Sequence, residues 1–158
     1  MSDIGLQGYL YRGARACVLM HDREMRAFLS VWHRANEAAT VLPRTDDPNY
    51  VSMSALLYHV LRCPRSYMIW MCEKLGLPDP GIDEPPAADR IEAEAGRFLS
   101  HVLDRWRLPL AGVEEKRFDE VYPSRWGVPM SIESMLEHAV VHPLRHAFQL
   151  EELMGAAR

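Results

Sequence analysis

The chain has 158 residues, 48% of them hydrophobic and 25% charged, with a formal net charge of -4 at pH 7. That length suffices for one domain with its own buried core, and the composition is that of an ordinary globular protein. The mild negative charge removes any electrostatic case for nucleic acid or an anionic membrane as partner, and charges interrupt every apolar stretch before ~18 residues, so neither a membrane span nor a signal peptide is expected.

The first helical pattern covers residues 13–42, with Val18, Met25, Phe28, Leu29, Trp32, Ala35 and Ala39 on one stripe. Pro43 is the expected stop, and 44–50 reads as a polar loop. Ser52, a good N-cap, opens a second helix that carries Leu56, His59, Cys63, Tyr67 and Trp70 at i, i+3, i+4 spacing and closes at Gly76. A proline- and acid-rich stretch, 77–88, follows. The third helix begins near Asp89 and presents Ile91, Ala95, Phe98, Leu99, Val102 and Trp106. Between 108 and 130 the pattern is broken by Pro109, Gly112, Pro123, Gly127 and Pro129, with Phe118, Val121 and Tyr122 assigned to a short strand or hairpin. Ser131 caps a fourth helix that runs to about Met154.

Four long amphipathic helices predict an all-α fold, a four-helix bundle. Helix two is roughly 37 Å long at ~1.5 Å per residue. The linker after it, about a dozen residues at ~3.1 Å each in polyproline II form, reaches about as far. It can therefore return along the bundle, and an up-down-down-up topology is expected. Cys17, Cys63 and Cys72 are an odd set with no CxxC pair, which points to a reducing cytoplasm and away from a disulfide scaffold.

Helix four carries His138, His142 and His146 in register. Residues four apart stand ~6 Å apart along one face, so neighbours can share an ion at ~2.0–2.1 Å, whereas His138 and His146, ~12 Å apart, cannot. His142 belongs to either pair. The third donor must come from another helix, and His59 lies on the inward stripe of helix two. His21 and His33 flank the stripe of helix one, and His101 lies beside that of helix three; these converge less. Cys63 could approach the ion, where a thiolate favours zinc, although a small buried apolar role is the commoner one. A lone histidine on a mixed face is usually a core or boundary residue; the i,i+4 pair facing an inward histidine lifts this set above that. Three imidazoles leave coordination positions open, as catalytic sites do.

Pro143 stands inside helix four at a cost of about 3 kcal/mol. Such a violation is expected at a functional site or at a kink that wraps the helix round the core. Trp32, Trp70 and Trp106 read as core, and Trp126 sits in a loop that could cover a pocket mouth. No Gly-rich phosphate loop, HExxH, nucleophile elbow or Glu-x-x-His pair occurs in the relevant segments.

The stretch Leu57-Tyr58-His59-Val60-Leu61, with His142-x-x-x-His146-x-x-Gln149, resembles the DinB/YfiT-like superfamily of metal-binding four-helix bundles. Helix order, the long second connection and the irregular segment before helix four extend the likeness over nearly the whole chain. The resemblance implies a divalent transition metal, zinc or nickel, on His59, His142 and His146, with Gln149 beside it, and so decides against His138. It also implies a homodimer formed through helix faces. Some members look like thiol-dependent transferases or isomerases that use low-molecular-weight thiols such as bacillithiol or mycothiol; many have no assigned reaction. The chain departs from the pattern at Ala147-Phe148, where Arg-Gly is frequent, and at Pro143. The expectation is thus a metal-dependent enzyme of thiol-transferase or related hydrolytic type, set against a non-catalytic metal- or ligand-binding or dimerisation bundle. Glu137 and Tyr122 are candidate general bases by neighbourhood alone.

Overall fold

Short polar contacts set the helix boundaries. The structure, a computed structural model, describes residues 6–156. Helix α2 (Met53–Leu75) starts where Ser52 Oγ accepts the Ala55 N–H at 3.0 Å. It ends on Gly76 in the left-handed region (φ 68°), with Leu77 N–H donating to Cys72 O at 2.8 Å and Gly76 N–H to Glu73 O at 3.3 Å. Helix α4 (Ile132–Ala156) is opened in the same manner by Ser131, whose Oγ accepts the Ser134 N–H at 3.0 Å.

Helix α1 (Arg12–Glu37) stops well short of residue 42, and Pro43 is not what stops it. Thr40 N–H bonds Ala35 O and Ala39 N–H bonds Asn36 O, both at 3.0 Å, with Ala39 at φ 51°. This is the closure seen after α2, built with alanine where glycine would be free of strain. Helix α3 (Ile91–Trp106) starts two residues beyond the expected Asp89. The irregular segment ahead of α4 holds an antiparallel hairpin, β1 (Val121–Pro123) and β2 (Pro129–Ser131), with Tyr122 opposite Met130. Phe118, assigned to a strand from sequence, lies instead in a short 3-10 turn, Glu115–Asp119, and is fully buried.

The four helices enclose one apolar core containing Phe28, Trp32, Leu56, Leu57, Met68, Trp106 and Phe118. The principal packing neighbours are α1 with α4 and α2 with both α3 and α4. Tyr11, at the head of α1, donates to Glu133 in the first turn of α4 at 2.7 Å, and Arg34 near the end of α1 meets Glu151 near the end of α4 at 3.2 Å. Ser54 in the first turn of α2 bonds Glu92 in the first turn of α3. The connection between α2 and α3 lies against both: Arg65 Nε donates to Ile82 O at 2.9 Å, and Asp83 N–H donates to His101 Nε2 at 3.0 Å. Trp70 Nε1 donates to Pro123 O at 3.1 Å and ties the hairpin to α2.

Pro143 is buried inside α4, and α2 contains a second buried proline, Pro64, directly after Cys63. Both helices continue through their proline. The Pro64 carbonyl accepts the Trp106 indole N–H at 3.1 Å. Among the described residues no helix is long and apolar enough to cross a membrane.

Candidate metal centre

His59 projects from the early half of α2, and His142 and His146 project from the middle of α4. His142 and His146 are buried and His59 is half-buried. One ring nitrogen of each lies within 4.8 Å of the other two, and this trio could hold a metal ion. His59 Nε2 and His142 Nε2 are 3.0 Å apart. Ring centroids are 4.8 Å apart for His142–His146 and 5.3 Å for His59–His146. Two donors sharing an ion at ~2.0–2.1 Å stand at most about 4.2 Å apart, so the 3.0 Å pair already fits and a small side-chain rotation closes the widest spacing.

The third nitrogen carries the most direct sign of a ligand. His146 Nε2 is buried without a hydrogen-bond partner among the described residues, a state that costs about 1–3 kcal/mol in a site with nothing to bind. Its other nitrogen is held. The Tyr50 hydroxyl donates to Gln149 Oε1 at 3.2 Å, which leaves the phenolic oxygen to accept from His146 Nδ1 at 3.3 Å. That chain of bonds puts the ring proton on Nδ1 and leaves the Nε2 lone pair free. His59 shows a looser version, with Nδ1 3.9 Å from Cys63 Sγ and Nε2 toward His142. Gln149 reaches the site both through its own side-chain hydrogen bond with His146 and through Tyr50.

Burial keeps these imidazoles neutral, the form that ligates. Desolvation first, then repulsion from His146, His59, His138 and Arg145, pushes His142 down to about 2. Desolvation and the nearby His59 and Arg145 charges push His146 down to about 4. His59 is lowered by desolvation first and then by Arg62.

The trio opens on a cavity of about 630 Å³ whose wall includes Tyr58, Tyr67, Trp70, Trp126 and Met135. Trp126 is half-exposed at the hairpin tip, with its ring 5.1 Å from His138. His138 lines the same cavity but lies outside the trio, and its Nε2 is 3.3 Å from the Tyr67 hydroxyl. Cys63 also lines the cavity but lies outside the trio, and burial raises its thiol pKa. His33 is exposed, and His101 faces Asp83. His21 departs from its expected place at the edge of a stripe: it is fully buried and stacked on Trp106 at 3.8 Å. Neither candidate base lines the cavity, since Glu137 is exposed and the Tyr122 hydroxyl donates to Glu120 at 2.7 Å.

Tyr50 escapes sequence reasoning because it comes from a 3-10 turn, Pro48–Tyr50, where no periodicity applies. The one local signal is Asp47, whose carboxylate accepts the Asn49 N–H at 2.9 Å and sets the turn. Replacing Tyr50 by phenylalanine removes only the hydroxyl, so metal affinity is expected to fall ~10–100-fold with the fold intact; a chelator-competition titration measures this, and an unchanged affinity would show that the hydroxyl does not orient His146. No family model, no curated protein and no solved structure matches the chain.

Proposed function

We propose that the chain is a DinB-like bundle of up-down-down-up topology and a metal-dependent enzyme of thiol-transferase or related hydrolytic type. Supporting the topology, the residue that caps α1 meets the first turn of α4, Arg34 near the end of α1 meets Glu151 near the end of α4, and the first turns of α2 and α3 meet. One observation carries the functional reading: three neutral imidazoles from two helices converge at the wall of a cavity large enough for a small molecule. The ligands are His59, His142 and His146, and zinc or nickel suits three imidazoles. Such an ion supplies Lewis acidity and acidifies a thiol or water brought to it. The protein's own residues do the rest. Tyr50 and Gln149 orient His146. The aromatic wall of Tyr67, Trp70 and Trp126 excludes bulk water from one side of the cavity. The free cysteines Cys17, Cys63 and Cys72 accord with a cytoplasmic setting and with a low-molecular-weight thiol as co-substrate.

A second reading, a binding or dimerisation bundle, is favoured by Val141, Leu144 and Phe148, which stand 47–58% exposed at helical spacing on α4. Single apolar residues on a surface are ordinary; three along one helix face suit a homodimer contact. Turnover of thiols with electrophiles under zinc, nickel and manganese separates the two readings. The enzyme reading predicts metal-dependent product formation that is lost with His142→Ala. No turnover across the panel, with ligand-induced thermal stabilisation alone, contradicts it and leaves the binding reading.

A further inference from the structure

The cavity beside the three histidines is electrostatically unlike the rest of the chain. The protein carries a net charge of -4, yet four arginines and only two carboxylates line this cavity: Arg62, Arg65, Arg125 and Arg145 against Asp47 and Glu84. One of the carboxylates is paired with an arginine and the other, Asp47, is not. Glu84 meets Arg65 at 2.9 Å, and Asp47 accepts the Asn49 N–H at 2.9 Å. Arg65 is further committed to the Ile82 carbonyl at 2.9 Å. Arg62, Arg125 and Arg145 remain, all exposed and without a carboxylate partner among the described residues. Arg62 lies over the Tyr58 ring, with its guanidinium carbon 5.7 Å from the ring centroid.

Unpaired arginines are common on surfaces. Three that reach one cavity from three separate elements (α2, the β1–β2 turn and α4) are a different matter, because charges of one sign lining one cleft add their potentials there. Guanidinium groups match the planar, bidentate geometry of carboxylate and phosphate oxygens. We infer that the cavity takes a small molecule bearing an oxyanion, held by Arg62, Arg125 and Arg145, with its reactive end toward His59, His142 and His146. The identity of that reactive end rests on the metal reading above; the oxyanion contact does not. The cavity volume of about 630 Å³ falls within the range usual for small-molecule sites.

The test titrates zinc-loaded protein by calorimetry with 3-mercaptopropionate and with 2-mercaptoethanol, which differ in the carboxylate. A bound cation also attracts anions, so the arginine variant R62Q/R125Q/R145Q is the deciding comparison. The carboxylate-bearing thiol should bind about tenfold more tightly to the unaltered protein. In the variant that preference should vanish, with zinc content and 2-mercaptoethanol binding unchanged. Equal affinities in the unaltered protein, or a preference that survives in the variant, would overturn the inference. If the protein holds no zinc, the metal reading fails separately. Succinate binding to the metal-free protein that disappears in the variant then still supports the arginine rim, whereas no binding, or binding that persists in the variant, overturns it.

Discussion

Replacement of His142 by alanine is expected to take bound zinc from stoichiometric to trace. His142 contributes the Nε2 that lies 3.0 Å from His59 Nε2, and its ring also neighbours His146, so it is the shared member of the trio. Two remaining imidazoles from separate helices form a weak, exchangeable site, because a transition metal in an all-protein site needs three or four donors. His59→Ala and His146→Ala should lose metal likewise. His138→Ala is the internal control: it removes an imidazole from the same cavity and helix, but one engaged with the Tyr67 hydroxyl, so it should retain full metal. Elemental analysis of the four variants, each shown by circular dichroism to be folded, checks this. Full metal in all three trio variants would dismiss the site; loss in His138→Ala to the same degree would shift it toward the other pair on α4.

The second large effect is acid sensitivity of the metal-free protein. His21, His142 and His146 are pushed down to about 3, 2 and 4, each chiefly by burial. In the unfolded chain a histidine titrates near 6.5. Below that pH the unfolded state takes up protons that the folded state refuses, so stability falls as pH drops from about 6.5 toward the folded values and is unaffected by these groups above it. At pH 5 the loss is roughly 2 kcal/mol for each group, on the order of 6 kcal/mol for the three, against a typical total of about 5–15 kcal/mol. Urea denaturation of EDTA-treated protein at pH 8 and pH 5 should show this drop. His21 offers a control away from the candidate site: both of its ring nitrogens lack hydrogen-bond partners among the described residues, and the ring stacks on Trp106. His21→Phe keeps the stack and removes the titration, so it should recover about 2 kcal/mol of the loss at pH 5 without a cost at pH 8. Equal stability at the two pH values would mean that these rings are solvated.

The parts of the structure visible in the sequence are those governed by local rules. Ser52, Gly76 and Ser131 mark helix ends because an oxygen or a missing Cβ satisfies a specific backbone need. His142 and His146 could be paired on paper because a helix places i and i+4 on one face, and His59 could be set against them because it shares the stripe of Leu56, Cys63 and Trp70. The end of α1 could not be read, since alanine at position 39 adopts a conformation that carries no signature in the residue itself. Phe118 was indistinguishable from a strand residue because one buried aromatic has no period. Tyr50 and the three unpaired arginines reach the cavity from elements far apart in the chain, and only tertiary packing brings them together. Pro64, buried beside Cys63, mirrors Pro143 one helix away, so a helix-interior proline does not by itself single out the α4 pair.

Zinc K-edge X-ray absorption on protein purified without a polyhistidine tag and loaded with one equivalent of zinc tests the convergence of the three imidazoles directly. The expected spectrum fits three imidazole nitrogens at ~2.0–2.1 Å, plus one or two lighter ligands. A shell of oxygens alone, or zinc that washes away on dialysis, would contradict it.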